Sequence, residues 1–137
     1  MAATTDDRLL GGRVRLLQPA TGYRVAIDPV LLAAAMPTAP GDRVLDAGCG
    51  TGAAALCLWA RVPRCTIVGV EDEAEALALA RANVGANGAD ERIAIVARAV
   101  QDYTVDNPAA FAHVMINPPF YEEGAHTRSS SRGKADR

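Results

Sequence analysis

No apolar run in the sequence approaches the ~18 residues a membrane-spanning helix requires; the longest candidate, Val30 to Met36, is a short helical stretch. The first residues, MAATTDDRLL, lack a basic start followed by an apolar segment, so no secretory signal is read there and a cytoplasmic protein is expected. Histidine is scarce: His113 and His126 are the only two, which argues against a histidine-based metal cluster. Cysteine is also sparse. Cys49, Cys57 and Cys65 are odd in number and without CxxC spacing, so neither a disulfide framework nor a zinc site is expected. Small buried thiols remain.

The 137 residues suffice for one domain with a real core. Half are hydrophobic and 22% charged, the balance of a soluble globular protein. A net charge of −2 does not announce a nucleic-acid binder. The charges are unevenly placed, however. Residues 1–27 carry Arg8, Arg13, Arg15 and Arg24 against Asp6 and Asp7, and residues 121–137 carry four cations against three acids. Basic ends flank an acidic middle and are candidates for phosphate contacts, with ordinary solvated arginines as the plain alternative.

Residues 1–7 read as a frayed tail. LLGGRVRLLQP then reads as strand, Gly-Gly turn and strand, ended by Pro19. Asp28-Pro29 marks a helix start, with Asp28 as N-cap, and the helix runs from Val30 to Met36. From Arg43 strands and helices alternate. Strands are expected at Val44–Ala47, Thr66–Val70, Arg92–Ala97 and Ala112–Ile116, with helices at about Ala53–Ala60 and Glu73–Val84. Such alternation means crossovers and a parallel sheet, whose ligands sit at the C-terminal strand ends. Residues 1–27 are thus expected to form a tail and hairpin extension, and 28–137 a Rossmann-like α/β core.

Three features fall at those strand ends. The first is Asp46-Ala47-Gly48-Cys49-Gly50-Thr51-Gly52, where alternate glycines allow a tight strand-to-helix turn and let a ligand lie against bare backbone. Gly48, Gly50 and Ala53 also satisfy the GxGxxA of a nicotinamide oxidoreductase. Asp46 opposes that reading, because an acid beside the turn repels a pyrophosphate and suits the amino group of a methionine moiety. The second is Glu71, 23 residues after Gly48, whose carboxylate can accept both hydroxyls of a ribose. Its plain alternative is an N-cap acid for the next helix, a task open to Asp72 as well.

The third is Asn117-Pro118-Pro119-Phe120. An exocyclic amino nitrogen conjugated to a ring or carbonyl is a poor nucleophile. The Asn117 side-chain oxygen and the Pro118 carbonyl can each accept one of its N–H bonds, turning the lone pair towards an electrophilic methyl. The prolines stiffen the segment and remove competing donors. Phe120 offers a face on which a planar base or amide can stack.

VLDAGCGTG at 44–52, Glu71 and INPPF at 116–120 together resemble class I S-adenosylmethionine-dependent methyltransferases of the amino-methylating group. The stretch LLGGRVRLLQPATGYRVAIDPVLLAA at 9–34 resembles the bacterial valine-tRNA adenine-N6 methyltransferase family, whose substrate is the adenine next to the anticodon. The resemblance covers residue 8 to about 127. It implies a three-layer α/β/α fold with S-adenosyl-L-methionine as cofactor and tRNA as partner. Tyr23, Arg24, Asp28, Asp72 and Asn117 would lie near the cofactor, Asp46, Gly48 and Gly50 would hold its methionine end, and Glu71 its ribose. Asn117, Pro118, Pro119 and Phe120 would hold the target base. No metal is implied.

Two departures stand out. Ala97-Arg98-Ala99 occupies the place where many relatives carry an acid for the cofactor's adenine, and Asp102 comes three residues late. No strand is readable after Phe120, so the fourth core strand is expected to be left as an apolar edge, open to self-association, in a chain that is a fragment or is completed by a partner. Rival functions are methylation of a protein glutamine amide, a non-catalytic cofactor-binding module, and nicotinamide-dependent oxidoreduction.

Overall fold

The computed structural model describes residues 3–21, 27–107 and 110–117. Strands β1 (Thr4–Leu9) and β2 (Val14–Pro19) form an antiparallel hairpin around the Leu10–Gly12 turn. The expected frayed tail is therefore corrected from Thr4 onward: Thr4 pairs with Pro19 and Asp7 with Leu16. The acids that made this stretch look like a tail are cross-strand partners. Asp6 takes hydrogen bonds from Arg8 and Arg15, and the Asp7 carboxylate accepts from Thr5 and Gln18.

Helix α1 (Asp28–Ala35) follows, with Ile27 in the cap position and Asp28 already helical, so Asp28 is not the expected N-cap. Pro29 sits in the first turn, where its missing N–H costs nothing. Arg61 donates to the carbonyls of Ala33 and Met36, covering groups that the end of α1 leaves open.

The main sheet comprises β3 (Arg43–Ala47), β4 (Thr66–Glu71), β5 (Ile93–Ala97) and β6 (His113–Ile116), all parallel, in the order β5-β4-β3-β6. Helices α2 (Ala53–Arg61) and α3 (Ala74–Ala86) lie in the β3–β4 and β4–β5 connections. A short helix that the sequence reading missed, α4 (Val100–Asp106), lies between β5 and β6. Glu73, not Asp72, caps α3, its carboxylate accepting from the N–H groups of Glu75 and Ala76.

The sheet's two faces have separate cores. On one, Val44, Ile67, Ile93 and Met115 pack with α2, Ala33 of α1, Val84 of α3 and the hairpin's Val14 and Leu16. The hairpin is thus part of the main core. On the other, Leu45, Ala47, Val68 and Val70 pack with Tyr103 of α4 and the half-buried Phe111. Each fully buried Leu, Ile or Val contributes ~1.5–3 kcal/mol relative to exposure. β6 is the last strand of this sheet among the described residues, and its Val114 and Ile116 are 53% and 61% exposed. Among the described residues no helix is long and apolar enough to cross a membrane.

Candidate functional site

The chain runs from β3 to β4 on one side of the sheet, and β6 returns to the other side of β3. A crevice at the C-terminal ends of such strands is where parallel sheets receive ligands. A cavity of ≈ 310 Å³ lies there, and its wall includes Asp46, Gly48, Cys49, Gly50, Thr51 and Asn117. Asp46 to Thr51 are consecutive residues from the end of β3 through the turn, while Asn117 arrives from β6. The topology alone brings them together.

Asp46 is the electrostatic centre. β3 is the sheet's most buried strand, and Asp46 is 1% exposed. The Ala55 N–H, one of the donors that the start of α2 leaves free, bonds its carboxylate. Oδ2 has no partner among the described residues. Loss of water, with Glu71 nearby adding repulsion, pushes the Asp46 carboxyl up to about 7. A buried acid with one idle oxygen, on the wall of a cavity, fits a cationic donor such as the ammonium of an amino acid.

The glycine-rich turn supplies the rest of that cradle. Gly48 and Gly50 have φ of 73° and 57°, which side-chain-bearing residues rarely adopt, and among the described residues nothing beyond their chain neighbours lies within 4 Å of where a Cβ would stand. A ligand can therefore approach the backbone there. Cys49 points the other way, into the sheet, against Gly69 of β4: a Cβ on Gly69 would come 2.9 Å from Cys49 Sγ. Burial pushes the Cys49 thiol up, so it stays a neutral packing group.

Glu71 does something the sequence did not reveal. Oε1 accepts from the Gly50 N–H at 2.8 Å, and Oε2 from the N–H groups of Asp72 and Glu73 at 3.1 and 3.0 Å. It ties the glycine turn to the end of β4, and it is not part of the cavity wall. Of the four lone-pair positions a carboxylate offers, one remains on Oε1 for a ligand hydroxyl. Asp72 is exposed and outside the wall; the half-buried Asp28 is outside it too, although its neighbour Pro29 contributes. Tyr23, Arg24, Pro118, Pro119 and Phe120 lie outside the described residues. The sequence reading missed Gln18, Pro19 and Thr21 from the hairpin side, and Glu73, Glu75 and Ala76 from the start of α3. The acids among them had a signal, three carboxylates just after β4.

Of the arginines expected to meet phosphate, Arg8 and Arg15 share Asp6, at 2.8 and 2.9 Å, and Arg13 donates to the Ala60 carbonyl. At the end of β5, Arg98 pairs with Asp106, and Asp102 stands exposed in the first turn of α4.

With the site in view, comparisons with known proteins decide the family. The model of the methyltransferase small domain matches residues 24–132. The chain belongs to the methyltransferase small domain family. Among curated members of similar sequence is the tRNA1(Val) (adenine(37)-N6)-methyltransferase of Escherichia coli O157:H7, 35% identical over 113 residues. That alignment covers 82% of this chain and 46% of the relative, so the chain spans about half the length of the curated relatives it matches. Two solved structures share the fold. The SAM-dependent methyltransferase from Agrobacterium tumefaciens superposes with a TM-score of 0.65 at 19% identity, over 86% of this chain and 40% of that one. M. jannaschii TYW2 in complex with AdoMet gives 0.67 at 12% identity, over 83% and 51%. The small-domain fold is accordingly Rossmann-like, as its parallel sheet and strand order show.

Proposed function

We propose that the chain is the cofactor-binding part of an S-adenosylmethionine-dependent N-methyltransferase acting on N6 of an adenine in tRNA, in the cytoplasm. One observation carries the reading: a buried acid with an idle oxygen and the Asn117 that follows β6 share a single cavity. The name of the 35%-identical relative supports the adenine-N6 and tRNA parts.

S-adenosylmethionine, when bound, supplies an electrophilic methyl group on a sulfonium. Asp46 Oδ2 accepts from its ammonium, and Gly48 and Gly50 let the methionine end lie against the backbone. The remaining lone pair of Glu71 Oε1 takes one ribose hydroxyl. Tyr23, Arg24, Asp28 and Asp72 come near the cofactor in the resemblance stated above, with Asp72 reaching it only if its exposed side chain turns inward. The Asn117 side-chain oxygen and the Pro118 carbonyl would accept the two N–H bonds of the target amine and so orient its lone pair for methylation, and Phe120 would stack the base. Pro119 keeps the segment short of competing donors. No metal takes part.

Arg8, Arg13 and Arg15, with Arg24, are the proposed phosphate contacts. Exposed ion pairs such as those with Asp6 hold weakly in water, so they exchange readily for phosphate. A second copy of the chain is the proposed occupant of the β6 edge, which has no neighbouring strand among the described residues and where Val114 and Ile116 are exposed.

The test is methyl transfer from labelled cofactor to tRNA by the chain and by Asn117→Ala. The variant is expected to lose about a hundredfold in rate at saturating cofactor, the scale of a mispositioned nucleophile. Methylation surviving RNase treatment would transfer the reading to a protein amide. Cofactor binding without turnover on any RNA would reduce the chain to a binding module.

A further inference from the structure

The outer edge of β2 is closed by side chains instead of by a strand. Asn83 of α3 accepts from the Leu17 N–H at 2.7 Å and donates to the Leu17 carbonyl at 2.9 Å. One helical turn on, Asn87 does the same for Arg15, at 2.9 and 2.7 Å. A carboxamide carries the donor and acceptor of a peptide group. Four residues of helix rise ~6 Å and two residues of strand ~7 Å, so asparagines spaced i, i+4 meet alternate residues of an extended chain. The helix completes β2 as a neighbouring strand would, with the two running in opposite directions.

The two asparagines are not equivalent. Asn87 spends its second N–H on the Asn83 carbonyl, within its own helix end. Asn83, fully buried, donates its second N–H to the Thr51 carbonyl at 2.9 Å. Thr51 belongs to the glycine-rich turn. β2, for its part, ends in Gln18 and Pro19 of the cavity wall, with Thr21 just beyond. One carboxamide thus holds both the hairpin side and the turn side of the cavity.

We propose that Asn83 is a positioning residue that couples the hairpin wall to the glycine-rich turn, so that the cavity forms as one unit. Its consequence for ligand affinity rests on the cofactor reading above; the coupling itself does not. Asn87 anchors the same hairpin without touching the turn, and so serves as the control.

The experiment is amide hydrogen exchange on the ligand-free chain, comparing wild type, Asn83→Ala and Asn87→Ala. The turn has bonded amides to report: Cys49 donates to Val70, Gly50 to Glu71 and Gly52 to Cys49. Asn83→Ala is expected to speed exchange at these positions and at Leu17 together, by about tenfold or more. Asn87→Ala is expected to speed exchange at Arg15 and leave the turn as in wild type. Titration of S-adenosylmethionine is expected to follow the same split, with Kd raised about tenfold by Asn83→Ala and little changed by Asn87→Ala. Faster exchange at Leu17 with an unaltered turn would overturn the proposal. Should Asn83→Ala not fold, wild-type exchange in mild urea decides: Leu17 and Gly52 opening with one urea dependence supports coupling, and a hairpin that opens while Gly52 stays protected refutes it. Failure of wild type to bind the cofactor would count against the cofactor reading alone, since the exchange measurements contain no ligand.

Discussion

Replacing Asp46 with asparagine should make the ligand-free protein more stable above neutral pH while removing its ability to hold a cation. The wild-type carboxyl is pushed up from 3.8 to about 7, first by burial and then by Glu71, against one opposing hydrogen bond from Ala55. An acid whose folded pKa lies above its unfolded one binds its proton more tightly in the folded state. Below pH ~4 both states are protonated and nothing is lost. Between about 4 and 7 the unfolded chain ionises and the folded chain does not, so stability falls as pH rises. Above 7 the loss levels off. At ~1.4 kcal/mol per pH unit the interval from 3.8 to about 7 comes to roughly 4 kcal/mol. Asparagine keeps an acceptor for the Ala55 N–H and cannot ionise, so Asp46→Asn lacks this slope.

The assay is thermal melting of both proteins between pH 4 and 8.5. Other titrating groups, such as Asp6 held low by Arg15, are common to both and cancel in the difference. The two are expected to melt together near pH 4. By pH 8 the variant should lead by on the order of 10 °C for a chain of this size. Parallel profiles across the range would refute the account of Asp46 as a strained buried acid. Cofactor titration runs the opposite way: an ammonium needs the ionised carboxylate, so wild-type affinity should weaken by about tenfold per unit below pH 7, with proton release on binding. Asp46→Asn should bind weakly at every pH.

Three further outcomes are expected. Gly69→Ala places a Cβ 2.9 Å from Cys49 Sγ and from Ile95 Cδ1; denaturant unfolding should show a loss of ~1–3 kcal/mol, and an unchanged midpoint would mean that the contact relaxes freely. Ile116→Lys puts a charge on the open edge beside β6 and should turn any dimer seen by sedimentation into monomer; a wild type that is already monomeric rejects the pairing proposal. NADH titrated under the conditions used for S-adenosylmethionine should give no binding, and measurable affinity would reinstate the oxidoreductase reading.

Much of the site was legible because it depends on local chemistry at strand ends. Asp46, Gly48 and Gly50 lie within five residues, and the alternation of strands and helices puts Asn117 at a C-terminal strand end without any knowledge of side-chain contacts; that its strand lies beside β3 is seen only in the structure. What escaped depends on partners distant in sequence. Thr4 to Leu9 has too few apolar residues to announce a strand, and only β2 and the Asp6–Arg15 pair make it one. Helix α4 has a mostly polar sequence in which Tyr103 alone is buried. Glu71 was assigned to a ribose on its position, yet its oxygens are engaged chiefly by backbone N–H groups of its own turn. Asn83 and Asn87 look like any polar pair on a helix until the strand 66 to 72 residues earlier lies alongside.

The start of α2 shows why the acid matters more than the glycines. A helix N-terminus carries roughly half a positive charge and several free N–H groups, and in a pyrophosphate-binding turn the ligand takes them. Here Asp46 reaches up from β3 and takes the Ala55 N–H from below. The positive end of the helix is answered inside the protein, and an idle carboxylate oxygen is left on a cavity wall that also includes Glu73 and Glu75. A turn with the same glycines and no Asp46 would invite an anion. With Asp46 the cavity asks for a ligand that brings a donor and a positive charge, and it is this inversion that separates a sulfonium-and-ammonium cofactor from a dinucleotide on otherwise similar backbones.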